Sequence, residues 1–160
     1  ERAREIIEQA VKLKPFDDMN CALAQTLDII GERWTLLILR DAFFGTRRFD
    51  EFQRNLGIAR NILTARLGRL VDEGILEKSP LDTGRHEYLL TPQGLDLQPV
   101  LLSMTHWGDR YKPNPKGRRM IFVERASGQP IAEMSARSAD GRALKPRDIK
   151  GVPGPGFEEV

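Results

Sequence analysis

Side chains suited to contacting nucleic acid are concentrated near the middle of the chain. Residues 52–71 contain four arginines and no acidic residue. Arg60, Asn61 and Thr64 follow one another closely within this stretch. Arginine can pair with guanine, asparagine with adenine, and threonine with a thymine methyl group or an acceptor. We therefore predict that the stretch contacts DNA, with a solvated helix surface as the other interpretation of its arginines.

Four arginines around these residues can extend the same surface. Arg47 and Arg48 form a basic pair just before the acid-free stretch, and Arg66 and Arg69 lie near its end. A basic surface of this kind attracts the phosphate backbone. Arg66 shares a predicted helix face with two leucines, so a structural role with a partly buried stem stays open beside a phosphate contact.

The overall charge does not reveal this surface. The 160-residue chain has a formal net charge of only +2, but its acids concentrate in residues 1–41 and 72–109. Charges that are segregated along a sequence can form a basic face in space. The composition is that of a soluble folded protein, and the chain lacks an apolar run of about 18 residues, which excludes a membrane-spanning helix. Because the single cysteine also fits a reducing compartment, we expect a cytoplasmic protein with no membrane partner.

The spacing of apolar residues predicts the elements that position these side chains. Up to Gly74 the apolar residues recur at the spacing of a helix, whereas after Gly74 they alternate with polar residues as in a β-strand. Asp50 is predicted to be the N-cap of a short helix, and Thr91 is predicted to be the N-cap of the last helix. Pro99 should kink this last helix. The predicted elements are helices at 2–13, 21–30, 32–44, 50–56, 59–73 and 92–111, with a β-hairpin of strands at 75–79 and 85–90.

This order of elements is that of a winged helix-turn-helix fold, mainly α with a β-wing. The helix at 59–73 is predicted to enter the major groove of DNA, which is wide enough to admit a helix. Its N-terminal end, where the helix dipole favours phosphate, carries Ala59, Arg60, Asn61 and Thr64. The hairpin tip can lie against the DNA backbone or enter the minor groove. The predicted contacts at this tip are Thr83, Gly84, Arg85 and His86.

Several sequence blocks between residues 20 and 110 also carry a family resemblance. These blocks are 27–40 (LDIIGERWTLLILR), 48–52 (RFDEF), 63–67 (LTARL), 70–76 (LVDEGIL) and 88–95 (YLLTPQGL). In their sequence and order they resemble the HxlR-type regulators, a MarR-like winged-helix family. Ala59 departs from the family pattern, which often has serine there, so the helix should lack a side-chain cap.

The resemblance implies a homodimeric transcription factor in which the first and last helices of the core form the dimer interface. The near-heptad spacing of apolar residues in the helix at 92–111 agrees with a packed seam. A twofold dimer presents two recognition helices about one DNA turn apart, which predicts a palindromic operator. Occlusion of a promoter makes repression the simpler expectation. The predicted interface residues are Leu23, Leu97, Val100, Leu101, Met104, Trp107 and Tyr111.

The C-terminal part of the chain is similar to an extension found in some HxlR-type members, which resembles a zinc ribbon. Those extensions have cysteines on glycine-bearing turns, where this chain has Ser127, Arg137 and Asp140. Because thiolates are absent, we expect no zinc site and no cofactor, but a metal-free remnant held by packing. The predicted parts are thus an N-terminal helical arm (1–19), a winged helix-turn-helix domain with its dimerisation helix (20–111) and a small β-rich extension (112–160).

Cys21 has two interpretations. It begins the second predicted helix, and a helix N-terminus favours the thiolate form of cysteine. Some members of the resembled family sense oxidants or electrophiles with a cysteine at this place. The alternative is a small buried side chain. A single cysteine acts as a switch only through an intersubunit disulfide, an adduct or a low-molecular-weight thiol, and the sequence does not identify a small-molecule or oxidant effector.

No set of residues indicates catalysis or metal binding. His86 and His106 are far apart in sequence, and neither has a convincing set of cysteine or carboxylate partners for a metal site. The chain also lacks the signatures of a nucleophile triad, a phosphate-binding loop or a dinucleotide-binding turn. We therefore predict that the protein is not an enzyme. Because a fold alone does not fix function, a winged-helix module that binds protein instead of DNA is the alternative.

Overall fold

The computed structural model describes residues 16–157 and is mainly helical, with a two-stranded antiparallel sheet. The helix predicted at 2–13 lies outside the described residues. The described elements are α1 (Ala22–Ile30), α2 (Thr35–Phe43), α3 (Phe49–Leu56), α4 (Arg60–Asp72), β1 (Leu76–Pro80), β2 (His86–Leu90), α5 (Pro92–Leu95), α6 (Gln98–Tyr111) and a 3-10 turn (Pro146–Asp148). Their order confirms the predicted winged helix-turn-helix fold.

A hydrophobic core between α2, α3, α4 and β1 sets the orientation of α4. Phe52 of α3 is fully buried, as are Leu63 and Leu67 of α4. Each such side chain contributes about 1.5–3 kcal/mol by leaving water. With Leu70, the buried leucines of α4 follow at intervals of four and three residues, so one helix face points inward. The opposite face of α4 is thereby turned to solvent.

A tight turn at Gly57 joins α3 to α4. Gly57 has φ 63°, in the left-handed region that glycine adopts without strain. Ala59 is the N-cap of α4 and makes no side-chain hydrogen bond, as predicted. The N-cap of α3 is Arg48, and Asp50 lies within the first turn. The prediction that Asp50 caps α3 is therefore wrong, although an acid in this turn still interacts favourably with the helix dipole.

The wing is a hairpin that is tied to the start of α3. Its strands pair from Leu76 with Leu90 to Pro80 with His86. The amide of Tyr88 donates a hydrogen bond to the carbonyl of Arg47, at 2.7 Å. This bond holds the wing beside the basic loop that precedes α3.

The helix predicted from 92 to 111 is divided into α5 and α6, so the prediction of one kinked helix is wrong. Pro99 has no amide hydrogen, and its ring would clash with the carbonyl four residues before it. The chain therefore ends one helix and begins another with Pro99 in the first turn, where no amide donor is needed. The predicted cap at Thr91 is confirmed, because its hydroxyl accepts a hydrogen bond from the amide of Gly94 at 3.1 Å.

Residues 112–157 form an irregular extension that packs along α6. Strand pairing in it is limited to two isolated bridges, Val123 with Pro130 and Arg137 with Ala143. The extension therefore contains less β structure than the β-rich extension that the sequence predicts. Turns supply much of the local hydrogen bonding instead, as where the amide of Gly128 donates to the carbonyl of Glu124 at 2.8 Å.

Polar contacts attach this extension to the rest of the chain. Glu133 accepts hydrogen bonds from Arg110 of α6 and from Arg118. The amide of Met134 donates to Nδ1 of His106, at 3.1 Å. At its far end, the carbonyl of Gly156 accepts from the side chain of Asn20, at 2.9 Å. The extension thus runs from the end of α6 back to the residues before α1.

No helix within residues 16–157 combines the length and apolar character that crossing a membrane requires.

Candidate nucleic-acid interface

The solvent-facing side of α4 presents the predicted base-contacting residues. Arg60, Asn61 and Thr64 are all exposed in its first turns. The hydroxyl of Thr64 donates to the carbonyl of Arg60 at 2.9 Å, which leaves its oxygen lone pairs as acceptors for a base edge. Gly68 further along the same face is also exposed, and apart from its chain neighbours and the local backbone of α4 no atom lies within 4 Å of where a Cβ would be.

A positively charged groove lies between the start of α4, the start of α3 and the wing. It has a volume of about 460 Å³. Four of its side chains are permanent cations and a fifth is a histidine, whereas Asp50 is its one acid. The lining residues are Arg48, Phe49, Asp50, Arg60, Lys78, Arg85, His86 and Tyr88. Such an arrangement attracts a phosphate group.

Lys78 of this groove is missing from the sequence-based prediction. It lies on β1 in register with Tyr88, with its Nζ 6.0 Å from the centre of the tyrosine ring. Alternation along the strand puts Lys78 on the same face as the buried Leu76, so the period of the strand does not predict that Lys78 is exposed. Its proximity to Arg60 depends on how the wing packs, which the sequence does not specify.

Arg60 is held by an aromatic ring without being neutralised. Its guanidinium carbon lies 5.0 Å from the centre of the Phe49 ring. A cation over a ring face is attracted by the ring quadrupole while it keeps its full charge. Within residues 16–157, Arg60 has no ion-pair partner. Phe49 therefore orients a guanidinium that remains available to a ligand.

Arg66 and Arg69 are neutralised by acids from elsewhere in the chain. Nε of Arg66 lies 3.1 Å from Oε2 of Glu32, an ion pair without the alignment of a hydrogen bond. Arg69 pairs with Asp28 at 3.3 Å and with Glu73 at 3.1 Å. Of the two interpretations of Arg66, these contacts favour the structural one. Residues 52–71 contain no acidic residue, but in the folded chain acidic side chains from other segments lie beside the second half of this stretch.

The remaining predicted DNA-contacting residues lie at the edges of this surface. Arg47, Thr83 and Gly84 are exposed, but they do not line the groove. Gly84 has φ 78° at the wing tip, and its amide donates to the carbonyl of Leu81. The tip projects beyond the groove with Asp82 beside these residues, so its charge is less uniform than that of the groove.

The predicted dimer residues divide into two groups. Leu97 and Leu101 pack against the core, whereas the others are exposed. On α6, the rings of Trp107 and Tyr111 lie 5.2 Å apart, and the two residues are 61% and 59% exposed. The exposed group, called here the apolar stripe, consists of Leu23, Val100, Met104, Trp107 and Tyr111.

Cys21 is exposed and is the N-cap residue of α1. Its interpretation as a buried side chain is therefore wrong for the single chain.

The turn around Asp140 in the extension is organised by contacts among its own residues. Asp140 accepts hydrogen bonds from the hydroxyl of Ser138 and from the guanidinium of Arg142. These two donors hold the pKa of Asp140 below its ordinary value. Arg137 donates to the carbonyl of Gly141 at 2.8 Å. Hydrogen bonds and an ion pair thus stabilise this turn.

A family model for the HxlR-like helix-turn-helix matches residues 29–116, more than half of the chain. The chain belongs to the HxlR-like helix-turn-helix family. An uncharacterised helix-turn-helix regulator of Mycobacterium tuberculosis, Rv3095, is 40% identical over 139 residues, which are 86% of this chain and 88% of that one. This HxlR-like chain is a transcriptional regulator with a helix-turn-helix DNA-binding domain.

Solved structures show which parts of this HxlR-like chain recur in other proteins. The crystal structure of PA1607, described as a candidate transcription factor, matches with a TM-score of 0.79 and 41% identity, over 86% of this chain and 97% of that one. The redox regulator HypR in its reduced form matches with a TM-score of 0.54 and 32% identity, over 57% of this chain and 94% of that one. The fold of the winged-helix part is thus common to both, whereas PA1607 matches a larger share of this chain.

Proposed function

We propose that this HxlR-like protein is a homodimeric repressor that binds a palindromic operator. In this proposal α4 lies in the major groove of each half-site and the wing lies against the DNA backbone. The observation that carries the proposal is the groove in which Arg48, Arg60, Lys78 and Arg85 converge. Repression follows from occlusion of a promoter, and the expected location is the cytoplasm.

The side chains divide between base contacts and phosphate contacts. Asn61 and Thr64, exposed on the first turns of α4, are assigned to base edges. Arg60 is assigned to a phosphate because it shares the groove with Arg48 and Lys78. The other proposed backbone contacts are Arg47, Thr83, Gly84, Arg85 and His86. Arg66 and Arg69 are assigned to the stability of α4.

The apolar stripe supports the proposed dimer. Exposed aromatic residues such as Trp107 and Tyr111 are enriched at protein interfaces, and soluble monomers rarely expose a large contiguous apolar surface. In a dimer with twofold symmetry, the apolar stripe of one chain would be covered by the apolar stripe of the second chain. Sedimentation should therefore give a dimer for the wild-type chain and a monomer for Trp107→Glu. Val152→Glu, which changes a still more exposed apolar residue of the extension, is the control and should stay dimeric.

Selection of bound sequences from a random duplex pool tests DNA recognition. We expect enrichment of two inverted half-sites with centres about one helical turn apart. Asn61→Ala should lose discrimination at one position of each half-site, because it removes a base contact. If nothing is enriched and duplex affinity is absent even at low salt, the regulator proposal fails and a protein-binding winged-helix module takes its place.

A second candidate function is oxidant sensing by Cys21. Two observations favour it: the side chain is exposed at the N-terminus of α1, and a structural neighbour, HypR, is described as a redox regulator. Oxidant should release the wild-type protein from its operator and leave Cys21→Ser bound. Equal release of both proteins would end the sensor proposal, and the thiol adduct or disulfide can be identified by mass spectrometry.

A further inference from the structure

An apolar cavity lies between α2, α6 and the extension, away from the DNA-facing groove. Its volume is about 410 Å³. Leu36 and Phe43 of α2, Leu102 of α6 and Phe122 of the extension are among its walls. The ring of Phe122 stacks on that of Phe44, with centres 6.5 Å apart and planes 9° apart. The extension therefore closes one side of the cavity with an aromatic contact.

The charge at this cavity is positive. Its lining includes two guanidinium groups, from Arg40 and Arg125, and no carboxylate. Arg40 is partly neutralised, because its Nε and one terminal nitrogen contact Oδ1 of Asp41 at 3.0 Å and 2.9 Å. Arg125 is exposed and has no ion pair with any residue in the range 16–157. Arg125 thus places an unpaired positive charge beside an aromatic cavity.

We propose that this cavity binds a small aromatic carboxylate, with its rings against Phe43, Phe44 and Phe122 and its carboxylate on Arg125. Pockets for small molecules have volumes of roughly 300–1,000 Å³ and combine apolar walls with a few polar groups. The volume of this cavity is at the lower end of that range and suits a ligand with a single ring or with two fused rings. An arginine binds a carboxylate through two parallel hydrogen bonds, which gives orientation as well as affinity.

The cavity and the apolar stripe lie on largely different faces of α6, so little of the surface is assigned to both partners. Only Met104 belongs to both. Leu102 of the cavity and Trp107 of the stripe are five positions apart, which places them about 140° apart around a helix. A second copy of the chain on the stripe therefore leaves most of the cavity walls free.

The cavity is also connected to the DNA-facing groove through α2. Phe43 and Phe44 end α2, and the chain reaches Arg47 and Arg48 within a few residues. The carbonyl of Arg47 in turn holds the wing. A ligand that moves the end of α2 would shift these arginines. Ligand binding itself does not require DNA, whereas an effect on operator affinity rests on the proposed function.

Calorimetric titration of the full chain tests the binding site, with 2-naphthoate and its uncharged analogue 2-naphthamide as the probes. We expect the carboxylate to bind more tightly than the amide. Arg125→Gln should weaken 2-naphthoate about fivefold, the scale of a solvent-accessible charge contact, and leave 2-naphthamide unchanged. Arg147→Gln, which removes another exposed arginine of the extension, should change neither.

A second variant tests the location of the site. Leu102→Trp fills the cavity and should abolish binding of both probes, provided that circular dichroism shows a folded protein. The proposal is overturned if neither probe binds the wild-type chain, if Arg125→Gln leaves the preference for carboxylate intact, or if a folded Leu102→Trp binds as the wild type does. If the probes bind as expected but no duplex is bound, the cavity proposal stands and the proposed function fails.

Discussion

The two halves of α4 carry similar residues but have different surroundings. In the first half, Arg60 lies over the Phe49 ring and faces a groove that contains three further permanent cations. In the second half, Arg66 and Arg69 lie beside Glu32, Asp28 and Glu73. An aromatic partner orients an arginine and leaves its charge available, whereas a carboxylate partner neutralises it. In the proposed function, arginine therefore binds DNA at one end of the helix, whereas at the other end it pairs with acids of α1 and of the turn after α1.

This difference explains why charge along the sequence overstates the DNA-binding surface. One of the acids beside the second half of α4, Glu73, lies at the end of α4 itself. The other two, Asp28 and Glu32, come from α1 and from the turn that follows α1. They anchor α4 so that its first turns project from the core. The usable positive field is concentrated where α4, α3 and the wing meet.

Arg60→Ala is expected to have the largest effect on DNA binding. We predict a loss of about 1–2 kcal/mol in operator affinity, roughly 5- to 30-fold, because a charge-assisted phosphate contact is removed. The free energy of unfolding should change little. Fluorescence anisotropy with a labelled operator measures the affinity, and Arg147→Ala on the extension is the control. An unchanged affinity for Arg60→Ala would remove the distinction between the two halves.

Gly68→Ala tests where along α4 the proposed DNA contacts end. Alanine is favoured over glycine within a helix, so this variant should raise the free energy of unfolding by about 0.5–1 kcal/mol. The space around Gly68 is open, and operator affinity should stay the same if DNA contacts end before it. Urea unfolding measures the free energy of unfolding, and fluorescence anisotropy measures the operator affinity. A stable variant with weakened affinity would instead extend the DNA contact to Gly68.

A double-mutant cycle on Arg66 and Glu32 tests the structural role of the second half. Both side chains are partly exposed, so we expect a coupling of only about 0.5 kcal/mol in the free energy of unfolding. The variants are Arg66→Met, Glu32→Gln and both together, measured by urea unfolding. Operator affinity of Arg66→Met should stay within about twofold of the wild type. Zero coupling together with a large loss of affinity would assign Arg66 to DNA.

Phe49→Leu tests whether the aromatic ring positions Arg60. Leucine keeps the apolar contact with the core but loses the ring face, so operator affinity should fall by about 0.5 kcal/mol. In the Arg60→Ala background the same change should have no further effect, since there is no guanidinium left to orient. Equal losses in both backgrounds would show that Phe49 acts through packing alone.

Much of the fold could be predicted because it depends on local periodicity. The helical spacing of Leu63, Leu67 and Leu70 fixes the buried face of α4, and the exposure of Asn61 and Thr64 follows from it. The change to a period of 2 gives the wing. Pro99 marks a disturbance, but whether a proline kinks a helix or ends it depends on packing around it.

The parts that could not be predicted depend on contacts between residues distant in sequence. Arg69 and Asp28 are 41 positions apart, so their ion pair is visible only after α1 is packed on α4. Lys78 reaches the groove through the packing of the wing. The extension has weak apolar patterning, and its turns are held by specific polar contacts such as that of His106 with Met134. Neither kind of information is present in a local window of sequence.

The salt dependence of operator binding tests most directly whether the first half of α4 and the wing supply the phosphate contacts. Two folded double variants are to be compared with the wild type: Arg60→Gln with Arg85→Gln, and Arg66→Gln with Arg69→Gln. We predict that the first pair makes the slope of log Kobs against log salt concentration shallower by about 2 for each bound chain, since each phosphate contact contributes about 0.9. The second pair should leave the slope unchanged. If the second pair lowers the slope and the first does not, the assignment of the two halves is contradicted.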